Sequence, residues 1–96
     1  MFQLQIRVLA FEDIQQAVDY YENKASHITD KFLEHLYIEI GVIQENPELF
    51  QKKYLSTRVR YIKGFPFGIH YILREQTIII LAVLHTNRNP NIGKKR

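Results

Sequence analysis

Cysteine is absent from this 96-residue chain. That excludes disulfides, thiolate catalysis and cysteine zinc sites, and it fits a reducing cytoplasm. Long apolar runs are missing as well. The longest, Ile78 to Leu84, is seven residues, against the ~18 that a membrane span needs. The opening Met1-Phe2-Gln3-Leu4-Gln5 has no basic segment followed by an apolar one, so no secretory signal is expected. Only four glycines occur, Gly41, Gly64, Gly68 and Gly93. Their scatter rules out phosphate-cradling loops of the GxxxxGK or GxGxxG kind. His27 and His35 lie too far apart to share a helical face as metal ligands, and no HExxH-like pairing involves His70 or His85. No metal and no cofactor are therefore expected. Ser26 and Ser56 lack the strand-turn-helix context of a nucleophilic serine.

What the chain does have is apolar mass and an uneven charge. Twelve aromatics and 46% hydrophobic residues can build one core. A domain of this length buries roughly 60–70% of the surface its unfolded form exposes, so modest stability is expected. Residues 1–48 hold Arg7, Lys24 and Lys31 against nine acids, a balance of −6. Residues 49–96 hold ten Lys and Arg against Glu75 alone, a balance of +9. Such a split points to a polyanion or an acidic protein as partner.

The hydrophobic period changes along the chain. Phe2 to Val8 alternates apolar and polar, the mark of a half-buried strand. Phe11, Ile14, Ala17, Val18, Tyr21 and Ala25 then follow helical spacing, with Glu12 and Asp13 expected in the first turn, where the macrodipole favours acids. Ser26 or Thr29 can cap a second helix carrying Phe32, Leu33, Leu36, Tyr37, Ile40 and Ile43. Asn46-Pro47 should stop it, because the residue before proline avoids the α region. Thr57 to Ile62 and Ile69 to Arg74 alternate as strands around a Gly-Phe-Pro-Phe-Gly turn at 64–68. Thr77 to Leu84 is nearly all apolar and β-branched, which suits a strand covered on both faces. The residues from His85 onward read as loop and tail. The expected fold is α+β, in the order β-α-α-β-β-β, with a helical hairpin packed on one face of a mostly antiparallel sheet.

The residue types left over for chemistry are basic. Arg58 and Arg60 stand two apart on a strand and so share a face. Val59 and Tyr61 are expected to point the other way, into the core under the helices. Lys52 and Lys53 lie upstream, and His85 and Arg88 follow the last strand. If these groups converge on the face away from the helices, they form the equipment of a metal-free ribonuclease. His85 would move the proton, and Arg58, Arg60 and Arg88 would hold the phosphate. Lys63, Arg74, Lys94, Lys95 and Arg96 extend the basic face and tail as binding candidates.

The pattern as a whole resembles the RelE/ParE superfamily of toxins. Ala10-Phe11-Glu12-Asp13-Ile14, Tyr20-Tyr21-Glu22, Phe32-Leu33-Glu34 and Asn46-Pro47 resemble its helical hairpin. Arg60 with Phe65-Pro66-Phe67 and Ile69-His70-Tyr71 resembles its arginine, its turn and its middle strand, and Ile80 to Pro90 its closing strand with the H-x-x-R ending of His85 and Arg88. The resemblance implies a single toxin domain over residues 1–90 with a basic tail at 91–96. It also implies the toxin of a cytoplasmic type II toxin–antitoxin module, acting in plasmid stabilisation or growth arrest. Such a toxin is held by a cognate antitoxin in a hetero-oligomer and needs no membrane. An acidic amphipathic antitoxin segment is expected partly on the hairpin and partly across the basic sheet face. The His85-x-x-Arg88 ending resembles the ParE-like members, which inhibit DNA gyrase. The alternative is a RelE-like, ribosome-dependent mRNA interferase using His85 with Arg58, Arg60 and Arg88. No tyrosine follows Tyr71 to serve as a RelE-like late tyrosine, and Gly93 stands where many relatives carry tryptophan.

Overall fold

The computed structural model describes residues 2–87 and 91–96. Strand β1 (Gln3–Ile6) leads into helix α1 (Val8–Glu45), then β2 (Lys52–Tyr54), β3 (Thr57–Tyr61), β4 (Phe67–Arg74), β5 (Thr77–His85) and a short α2 (Asn91–Lys94). The five strands form one sheet in the order β1-β5-β4-β3-β2. Only the β1–β5 pairing is parallel; the other three are antiparallel. Among the described residues no helix is long and apolar enough to cross a membrane.

Helix α1 is a hairpin rather than a rod. Ala25 has φ −165° and ψ 87°, extended backbone that interrupts the helical path. A straight helix of 38 residues would run about 57 Å at 1.5 Å per residue, yet the longest dimension of the molecule is 39 Å. Tyr21 from the first arm and Phe32 from the second meet with ring centroids 5.4 Å apart. The break falls just before Ser26. Thr29 does not cap the second arm: its hydroxyl oxygen is buried and has no hydrogen-bond partner among the described residues.

Both arms lay their buried stripes on the sheet, forming a core of Ala10, Ala17, Phe32, Leu36, Ile40 and Ile43 with Ile69, Tyr71, Ile78, Ile80 and Val83. Four rings, Tyr21, Phe32, Phe65 and Phe67, pack edge to face or tilted at 5.4–6.4 Å between the hairpin and the 64–68 turn. Val18 and Tyr21 are half-buried against this core. The chain stops being helical at Glu45, and Asn46 takes φ −143°, as the following Pro47 requires.

Several local readings differ from the structure. Val8 opens the helix instead of ending the strand, so the helix begins earlier and Glu12 and Asp13 lie beyond its first turn. The buried stripe passes through Ala10 and Asp13, while Phe11 is 55% exposed. Tyr37, expected in the second stripe, is 61% exposed. Strand β2 and helix α2 occur where the sequence offered only loop. Beta5 lies inside the sheet as expected, and every residue from Ile78 to Leu84 is buried.

Candidate functional site

Register decides which face each strand residue occupies. Arg58 lies opposite Tyr71 and Arg60 opposite Ile69, and both partners belong to the core under the hairpin. The two arginines therefore face the helices, the reverse of the expectation, and Val59 and Tyr61 face the open side. Alternation defined the two faces but not which of them the hairpin would cover. A carboxylate on α1 and backbone carbonyls of the following loop receive the guanidiniums. Arg60 Nε donates to Glu39 Oε1 at 2.8 Å, and its Cζ sits 4.6 Å from the Phe50 ring centre. Arg58 Nη1 donates to Phe50 O at 2.7 Å and Glu48 O at 3.2 Å. Tyr71 donates to Pro47 O at 2.7 Å, and burial, the largest influence, raises its phenol pKa.

His85 sits half-buried at the end of β5. It pairs with Phe67 across the sheet, and their rings meet edge to face at 5.3 Å. Its Nδ1 accepts the Asn87 N–H at 3.0 Å, which leaves Nε2 to carry the proton of the neutral ring. Val83, opposite Ile69, shares the hairpin side with Arg60. Arg60 is thus two strands from β5, about 10 Å at ~4.8 Å per strand, with buried Ile69 between. Arg58 and Arg60 are not brought to His85.

The open face of the sheet carries a different set. A hollow of about 370 Å³ is lined there by Lys53, Tyr54, Tyr61, His70, His85 and Lys94, among others, and no carboxylate among the described residues lines it. Tyr54 Oη and His70 Nδ1 are hydrogen-bonded at 2.7 Å. Burial, the dominant effect, lowers the His70 pKa below its ordinary 6.5; the Asp13 carboxylate opposes this and Arg96 adds to it. A second cleft of about 500 Å³ opens on the hairpin side, between Asp13, Tyr20 and Tyr21 on α1 and Phe67 and His85. His85 forms part of both walls.

Of the basic candidates, Lys53, His85 and Lys94 share the open hollow. Lys52 is exposed on the edge strand β2, Arg74 lies at the far end of β4, and Lys63 is on the turn, its carbonyl bonded by His35 Nδ1 at 2.7 Å. Lys95 is exposed, and Arg96 is drawn under α1. Arg88 lies outside the described residues. Nothing in the sequence pattern groups Tyr54, His70 and Asp13, because only the β2–β3–β4 register and the hairpin bring them near one another. Chemically, the hollow offers two ammonium groups, two imidazoles and two phenol rings, a setting for an anionic ligand.

Comparison with known proteins adds two findings. The family model described as "ParE toxin of type II toxin-antitoxin system, parDE" matches residues 4–90. A solved structure described as the chromosomal ParDE TA system from P. aeruginosa shares the fold, with a TM-score of 0.79 at 16% identity, over 88% of this chain and 96% of that one. No curated protein matches the chain.

Proposed function

The chain belongs to the ParE toxin family of type II toxin–antitoxin systems, and from that membership we propose that it arrests growth by inhibiting DNA gyrase and is neutralised by a cognate antitoxin. In this reading the toxin works in the cytoplasm, is held in a hetero-oligomer, and makes contact with its target rather than performing chemistry on it. The observation that carries the choice is the engagement of Arg58 and Arg60. One is tied to the backbone of Glu48 and Phe50, the other to Glu39. Cleaving RNA would need those guanidiniums beside His85, where charge grows on the phosphate. Exposed Lys94 and Lys95 remain for contact with the target.

Purified protein should block supercoiling by purified gyrase, and translated mRNA should show no codon-positioned cuts in primer extension. His85→Gln should leave growth arrest within a few-fold of the parent. Codon-positioned cleavage that falls about 10²–10⁴-fold in His85→Gln, the usual worth of a positioned proton-transfer group, would replace this reading with an mRNA interferase.

A further inference from the structure

Parallel pairing of β1 with β5 stops at Ile80, where the Arg7 N–H makes the last bond, to Ile80 O at 3.0 Å. Beyond it the chain turns into α1, and β5 continues without a strand on that side. Two side chains take the strand's place. Asp13 Oδ2 accepts the Val83 N–H at 3.0 Å. Arg96 Nη1 donates to Leu81 O at 3.3 Å. The two groups are joined to each other by a bidentate pair, Nη1 to Oδ2 at 2.7 Å and Nη2 to Oδ1 at 3.1 Å. Their side chains are only 7% and 15% exposed. Leu81 is the extra residue of a bulge, since Tyr71 pairs with Ile80 and His70 with Ala82.

The segment that delivers Arg96 crosses the open face. Gly93 is buried there, and a Cβ on it would lie 2.4 Å from Tyr54 Oη and 3.4 Å from His70 Nδ1. A side chain at this seat would displace the Tyr54 phenol from His70. Helix α2 is four residues long, too short to hold its own shape, and Lys94 and Lys95 point to solvent. Within residues 91–96, Gly93 is buried on the open face and Arg96 is bound at the β5 edge.

We propose that residues 91–96 are a strap that opens and closes over the sheet, with the Asp13–Arg96 pair as its catch and the Tyr54–His70 pair as what it covers. Closed, the strap completes the β5 edge and adds Lys94 to the wall of the basic hollow. Open, it uncovers the imidazole and takes that ammonium away. The catch therefore governs both access to His70 and the charge of the hollow.

The test compares the full chain with Asp13→Asn, Arg96→Gln and their double variant, with two readouts. One is tryptic cleavage after Lys94 and Lys95. The other is modification of His70 by diethyl pyrocarbonate, located by mass spectrometry, with exposed His27 as internal reference. Asp13→Asn keeps one acceptor, for the Val83 N–H, while it removes the charge and turns the oxygen facing Arg96 Nη2 into a donor. Each single variant should raise both rates about 10–100-fold, the scale of charge-assisted hydrogen bonds. The double should do no more than either single, as for two members of one contact. Gly93→Ala, with the catch intact, should also raise His70 modification. Unchanged rates in both single variants would overturn the proposal. So would rates that rise only in step with hydrogen exchange of the buried Ile69 amide, because the whole domain would then be opening.

Discussion

At the scale of single residues, the two members of the Arg60–Glu39 pair differ in what their loss leaves behind. The Glu39 side chain is 7% exposed and that of Arg60 34%. If Glu39 is replaced by Gln, Arg60 can turn to water. If Arg60 is replaced by Gln, a carboxylate stays buried beside an N–H 3.5 Å away, that of Lys63. Arg60→Gln should therefore be the more destabilising, by about 1–3 kcal/mol, read as the difference in urea midpoints at equal slope. Loss of toxicity in an Arg60 variant would accordingly report folding before chemistry. His70 gives a pH signature. Burial holds its folded pKa below the unfolded 6.5, so the unfolded chain binds the proton more readily. Stability is complete above pH 6.5 and declines as pH falls from there towards the lowered folded value. Denaturation midpoints between pH 7.5 and 5.5 should fall in the parent, and the slope should be shallower in His70→Gln.

Elements were legible where one period ran long enough. Alternation marks β3 and β4, an unbroken apolar and β-branched run marks β5, whose two faces are both covered, and the 3.6 period marks both arms of α1. Phe32, Leu36 and Ile40 on the expected helical stripe, and Ile80 and Ala82 on the expected covered strand, are buried. Phe32→Ala should cost about 3–5 kcal/mol, since the ring touches Tyr21, Phe65 and Phe67; thermal unfolding would show it as a lowered Tm with the fold retained. The facing of β3 was not legible. The open side is itself partly covered, so apolar Val59 is buried there against Gly68, whose missing Cβ would lie 2.9 Å from Val59 Cγ1. Long arginine stems meanwhile pass among apolar groups on the hairpin side and end on Glu39 and on carbonyls. Strand β2 and helix α2 are three and four residues long, shorter than any period can reveal. The basic hollow shared this fate: Lys53, His85 and Lys94 were each recognisable as basic, but their meeting place depends on register and on the course of the strap.

Over the whole molecule, the acidic and basic halves of the sequence are stitched together. Among the described residues, both ion pairs take their acid from residues 1–48, Asp13 and Glu39, and their base from residues 49–96. What remains on the basic side is largely solvent-facing, including Lys52, Lys53, Lys63, Lys94 and Lys95. If an acidic antitoxin segment crosses that face, its affinity should weaken from low salt to about 0.5 M, where the screening length shrinks to a few Å. The decline should appear mainly in the association rate measured by surface plasmon resonance. The same long-range stitching sets a schedule for synthesis. Gln3 pairs with Thr77, 74 positions later. At about 5–20 residues per second, β1 waits roughly 4–15 s for its neighbour. Until then the hairpin has no β5 to lie on and its apolar stripe stays wet. Folding is deferred until most of the chain exists and then has to proceed in one cooperative step. A ribosome halted before β5 would hold helices without a floor.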